Sequence, residues 1–98
     1  MLSRSYNTVT PTLGSASEAI YAHQKVLLRL AVKPTTSSTQ YDFEVIDQYG
    51  LSFYSIQNQT GELEEVMEIP SITNLSLNIT NSSADEDFEV LFIFRDER

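Results

Sequence analysis

Cysteine and tryptophan are absent from this 98-residue chain, and histidine occurs once, at His23. Without cysteine there is neither a disulfide nor a thiolate metal site, so packing and hydrogen bonds must carry the stability. A catalytic triad or a histidine-based metal centre would have to be built around His23 alone, which lies in a polar stretch. Glycine is confined to positions 14, 50 and 61. Turns account for all three, and neither a phosphate-cradling glycine loop nor a Gly-x-Ser-x-Gly elbow is present. The expectation is a protein that is not an enzyme, with no catalytic residue, no metal ligand and no cofactor.

Positive charge is scarce too: six Lys and Arg stand against 14 Asp and Glu, for a net charge of −8. Nucleic-acid affinity depends on clustered bases that neutralise phosphates, so DNA and RNA are poor partners for this composition. No apolar run approaches the roughly 18 residues of a membrane-spanning helix, and Met1 to Asn7 lacks the apolar middle region of a signal peptide. A soluble domain without a nucleic-acid or membrane partner is expected. Four Asn-x-Ser/Thr sequons, at Asn58, Asn74, Asn78 and Asn81, arise by chance in a chain this rich in Asn, Ser and Thr.

What is present is period-two alternation. Val26, Leu28, Leu30 and Val32 alternate with Leu27, Arg29 and Ala31 until Pro34 ends the run. Tyr41, Phe43 and Val45 alternate with Asp42 and Glu44, and the turn Asp47-Gln48-Tyr49-Gly50 leads into Leu51 to Ile56, which predicts a hairpin. Leu63 to Ile69 carries Glu64, Glu65 and Glu68, charges that suit an edge strand because they discourage pairing with foreign chains. Leu75, Leu77 and Ile79 form a half-buried strand. Phe88 to Arg95 closes the chain with apolar residues on both faces: Phe88, Val90, Phe92 and Phe94 on one, Leu91 and Ile93 on the other.

Six strands with polar turns and no sustained helical period predict an all-β fold. The expected architecture is an antiparallel β-sandwich of jelly-roll or immunoglobulin-like kind with about six to eight strands. There is no Cys…Trp…Cys signature of an antibody-type domain. Residues 1–24 lack apolar periodicity and read as an irregular N-terminal arm before a sandwich domain at residues 25–98. Within the arm, Ser15-Ala16-Ser17-Glu18 fits either a capping box for a short helix over Ala16 to Tyr21 or an extended run into the next strand.

The two-faced strand poses the functional question. One face fills the core, and the other needs a cover. Leu91 and Ile93 are therefore interface candidates, together with Tyr6, Val9, Leu13 and Ile20 of the arm, which would dock on its own sandwich or on a neighbouring subunit. Asp85, Glu86, Asp87 and Glu89, or Glu62, Glu64, Glu65 and Glu68, supply oxygen atoms of the kind that bind Ca²⁺, but their spacing does not match an EF-hand and they read as solvated acids. For sugar recognition the candidate ligand-facing aromatics are Tyr49, in a turn, and Tyr54, out of phase with Leu51 and Phe53.

The segments Leu28-Arg29-Leu30-Ala31-Val32-Lys33-Pro34, Tyr41-Asp42-Phe43-Glu44-Val45-Ile46-Asp47, Thr60-Gly61-Glu62-Leu63 and Asn81-Ser82-Ser83-Ala84-Asp85-Glu86-Asp87-Phe88 resemble small β-sandwich structural proteins of tailed-bacteriophage virions. The resemblance spans about residues 25 to 95 in texture and contains no diagnostic motif. It implies a structural or assembly protein of the virion, a capsid decoration or cement protein or a tail component. Its partners would be copies of itself, or a capsid or tail protein. Similar textures in secreted prokaryotic modules keep a glycan- or receptor-binding adhesion module as the alternative.

Overall fold

The structure, a computed structural model, describes residues 1–97. Eight strands run in the order β1 (Leu2–Val9), β2 (Ala16–Ile20), β3 (Lys25–Pro34), β4 (Gln40–Asp47), β5 (Ser52–Thr60), β6 (Leu63–Ser71), β7 (Leu75–Thr80) and β8 (Phe88–Asp96). They form two four-stranded antiparallel sheets, ordered β1-β8-β3-β6 and β2-β7-β4-β5. Every connection passes from one sheet to the other except the β4–β5 hairpin, which turns within the second sheet. This interleaving is the double Greek key of a jelly roll, and it sets aside the immunoglobulin-like alternative.

The expected alternation fills the space between the sheets except at the start of β3, where a register shift between Leu27 and Arg29 sends Leu27, rather than Val26 and Leu28, to the core side with Leu30 and Val32. Phe88, Val90, Phe92 and Phe94 meet Leu27, Leu30 and Val32 within the first sheet, and Phe43, Val45, Leu75, Leu77 and Ile79 line the second. Tyr41 seals one end of this core: its ring stands edge-on to Phe88 at 4.9 Å between centroids, and its hydroxyl donates to the Gly61 carbonyl at 2.7 Å. Burial pushes that hydroxyl's pKa well above the ordinary tyrosine value. β6 lies at an edge of its sheet, where its glutamates were expected to place it.

Residues 1–24 are not an irregular arm. Without them β8 would present a bare edge beside its apolar residues, and β1 satisfies that edge by pairing with β8 over eight consecutive residues, Leu2↔Arg95 to Val9↔Phe88. β2 pairs with β7 in the same way, so Ala16 to Ile20 is extended rather than helical. Two of the arm's interface candidates are consequently core residues: Val9 and Ile20 are both buried.

Candidate interaction surface

Strand alternation places the remaining apolar side chains on the outer face of the β1-β8-β3-β6 sheet. Reading across β1, β8, β3 and β6, the register sets Arg4, Ile93, Arg29 and Val66 in one row and Tyr6, Leu91, Ala31 and Glu64 in the next. A third row holds Leu2, Arg95, Val26 and Pro70. Leu91 and Ile93 are half-buried, because side chains of the flanking strands lean on them and no second layer lies above. β1 extends the sheet sideways and does not lie across its face, so the described residues give Leu91 and Ile93 no covering layer.

Around them the surface stays open. Val66 is 82% exposed, Leu2 66% and Tyr6 59%. Ion pairs frame the apolar rows: Arg29 reaches Glu64 at 3.1 Å, and Arg95 spans from β8 to Glu68 on β6 at 2.6 Å, beside a buried Val26. Tyr6 donates its hydroxyl to Glu89 Oε1 at 2.6 Å, and this bond to a carboxylate raises the Tyr6 pKa. Among the described residues, four bases, Arg4, Arg29, Lys33 and Arg95, lie on this face with four of the fourteen acids, Glu64, Glu68, Glu89 and Glu97. A strongly acidic protein thus has one face that is balanced in charge and rich in apolar groups, the composition of a protein contact surface.

The other candidates are dispersed. Leu13 is 93% exposed at the tip of a tight turn beyond the Val9 end of β1, with a φ of 54° followed by 81° at Gly14. Tyr49 is 74% exposed in the β4–β5 hairpin, whose Asp47 carboxylate accepts the Tyr49 and Leu51 amides at 2.9 Å each. Tyr54 turns inward. It lies opposite Val45 on the core side of β5, 6.5 Å from the Phe43 ring, and donates to Glu65 at 3.2 Å across the sandwich margin. Partial burial, and then the Glu65 charge, push its pKa up to about 12. Sequence phase misled here because β4 and β5 pair with register shifts between Tyr41/Phe43 and Val45/Ile46. Tyr21, one of the five tyrosines that the sequence offers for sugar stacking, and Ile72, which no sequence pattern singles out, are exposed and share the Tyr49 end of the sandwich with Leu51.

The acids of residues 85–87 organise loops at the opposite end. Asp85 accepts the Leu13 and Gly14 amides at 2.9 Å each, and Asp87 accepts the Thr10 hydroxyl at 2.6 Å. Glu86 takes the Thr36 amide and the Thr36 and Thr39 hydroxyls at 2.8 to 2.9 Å. Each carboxylate turns to backbone or hydroxyl donors, and among the described residues no three acids or histidines converge as metal ligands. The Thr36 amide bond, with the hydroxyl bonds adding to it, lowers the Glu86 pKa. A depressed carboxyl stabilises the fold fully above its unfolded pKa of about 4.3 and stops doing so as pH falls through the lower folded value. Glu86→Gln should therefore lower the thermal midpoint at pH 7 and shrink the difference between midpoints at pH 7 and pH 3; an unchanged difference would remove Glu86 from the acid response.

No protein-family model matches this chain, and no curated protein does. Among solved structures, it is similar to the carbohydrate-binding module CBM36 in complex with calcium and xylotriose, at TM-score 0.43 and 17% identity over 90% of this chain and 78% of that one. A de novo designed double-stranded β-helix matches at TM-score 0.42 and 15% identity, over 95% of this chain and 99% of that one. The enzymatically active domain of bacteriophage CBA120 tailspike protein 4 matches at TM-score 0.32 and 15% identity, over 95% of this chain and 19% of that one.

Proposed function

We propose that this protein is a non-enzymatic assembly module, a jelly-roll sandwich that attaches to a larger protein particle through the outer face of its β1-β8-β3-β6 sheet. The observation that carries the reading is the charge-balanced apolar face around Leu91 and Ile93 on a chain of net charge −8. The resemblance of its strand and turn sequences to virion proteins supports a tailed-phage virion as the particle, on which the module would serve as a decoration or cement protein. A second reading, an adhesion module for glycans or a receptor, is favoured by the exposure of Tyr21, Tyr49, Leu51 and Ile72 at one end of the sandwich.

One experiment separates the two. The protein is purified from its native source and its co-sedimentation with large particles measured, then repeated by adding back Leu91→Asp/Ile93→Asp and Tyr49→Ala. Docking by the sheet face predicts that the double variant stays in the supernatant while Tyr49→Ala pellets normally. Both Leu91 and Ile93 are half-buried at the surface, so the double variant should keep a folded spectrum. The opposite pattern would transfer the function to the Tyr49 end, and a wild type that never accompanies a particle would end the assembly reading.

A further inference from the structure

Four strand edges are open in this sandwich, and three are guarded. β6 carries Glu64, Glu65, Glu68 and Pro70; β5 pairs with two register shifts and holds Asn58 at a φ of 58°; β2 is only five residues long. β1 is different. It runs eight residues in unbroken register with β8, contains no proline, and has one charged residue, Arg4. A regular edge of this kind is a template for another strand.

The ladder shows which backbone groups it offers. Asp96 N donates to Met1 O at 3.3 Å, so residues 1, 3, 5, 7 and 9 face β8 in hydrogen-bonded pairs. Leu2, Arg4, Tyr6 and Thr8 therefore direct their N–H and C=O groups outward. We infer that β1 pairs antiparallel with β1 of a second copy about a two-fold axis at Ser5, joining the two β1-β8-β3-β6 sheets into one continuous sheet.

Side-chain chemistry selects that register. Centring on Ser5 sets Leu2 opposite Thr8 and Arg4 opposite Tyr6, uses every outward group, and forms about eight main-chain hydrogen bonds. Moving the axis to Arg4 would oppose two guanidinium groups and leave Thr8 unpaired. Arg4 has no ion-pair partner among the described residues, nor has Glu89, which receives the Tyr6 hydroxyl. In the Ser5 register the Arg4 guanidinium of one copy lies over the Tyr6 ring of the other, with the Glu89 carboxylate behind it. The seam also continues the apolar rows of the outer face, bringing Leu2 and Tyr6 of both copies side by side.

The chain has no cysteine, so single thiols report the geometry without background. Across the proposed axis the two Ser5 Cα atoms lie about 4.5 Å apart in a non-hydrogen-bonded pair, within disulfide reach. The two Ser3 positions lie roughly 13 Å apart along the strand, well beyond it. Sedimentation equilibrium should give a two-chain mass for the wild type. Ser5→Cys should form a covalent dimer under mild oxidation, and Ser3→Cys alone should not. Arg4→Pro removes an outward N–H and leaves the β8 ladder intact; it should weaken the dimer by about tenfold or more. A one-chain mass for the wild type, or Ser3→Cys cross-linking as readily as Ser5→Cys, overturns the pairing. All these readouts are taken on the free protein, so failure of particle docking does not alter them.

Discussion

Phe92→Ala is expected to lower the unfolding free energy by about 3–5 kcal/mol, a large share of the roughly 5–15 kcal/mol that holds a small domain together. Phe92 is fully buried at the centre of the core, beside Phe94 at 6.1 Å between rings and opposite Leu30 on β3. Its neighbours belong to two rigid sheets that cannot close on the void, so the cavity cost adds to the lost transfer energy. One residue further along the strand the outcome reverses. Ile93→Ala takes less from the fold, since Ile93 is half-buried on the outer face and flanked by Arg4 and Arg29. Its loss should appear in particle binding. Urea titration of both variants measures the difference, and equal losses would mean that the two faces of β8 are not divided between core and contact as described.

The second large effect is at Gly61. Its φ of 73° is a left-handed conformation, and a Cβ there would stand 2.6 Å from the Ser37 carbonyl oxygen, a backbone atom that cannot swing aside. Gly61 also donates its amide to Thr39 O at 3.0 Å and accepts the Tyr41 hydroxyl at 2.7 Å. Displacing it disturbs the β5–β6 turn, the β3–β4 loop and the buried tyrosine together. Gly61→Ala should cost at least about 2 kcal/mol, of which the left-handed backbone alone accounts for about 1–2. Gly50 is the internal control: its φ is 82°, but nothing lies within 4 Å of its virtual Cβ. Gly50→Ala should show the backbone cost alone. Equal midpoints for the two variants in thermal unfolding would show that the Ser37 loop yields freely.

Self-pairing of β1 would strengthen docking through the outer face. A two-fold seam at β1 doubles the area of the face that holds Leu91 and Ile93, and two linked contacts on one particle hold more tightly than either alone.

The strands from β3 to β8 were legible because each buries one face against the opposite sheet, and burial writes itself into the sequence as apolar residues at every second position; the phase was lost only where bulges interrupt it, at the start of β3 and in β5. The glutamates of β6 announced an edge, and Phe88 to Phe94, apolar on both sides, announced a strand with both faces to cover. β1 and β2 were not legible. The inward positions of β1 before Val9 are Ser3, Ser5 and Asn7, half-exposed at the margin of the sandwich, so no apolar period marks it. It is a strand because β8 supplies its hydrogen-bond partners, and that neighbour is some eighty residues away.

The candidate site divides in the same way. The sequence by itself determined that Leu91 and Ile93 lie opposite the core residues of their strand, since that follows from the two-residue repeat of an extended chain. Only the tertiary structure decided what stands around them: Tyr6 and Arg4 from β1, Ala31 and Arg29 from β3, and no layer of the described residues above. It also drew Val9 and Ile20 into the core and turned Tyr54 inward through the β4–β5 register shifts. Periodicity is a local property and can be read along the chain. The choice of neighbour is set by which distant edge has unsatisfied hydrogen bonds and uncovered apolar surface, and the folded sheets alone establish that.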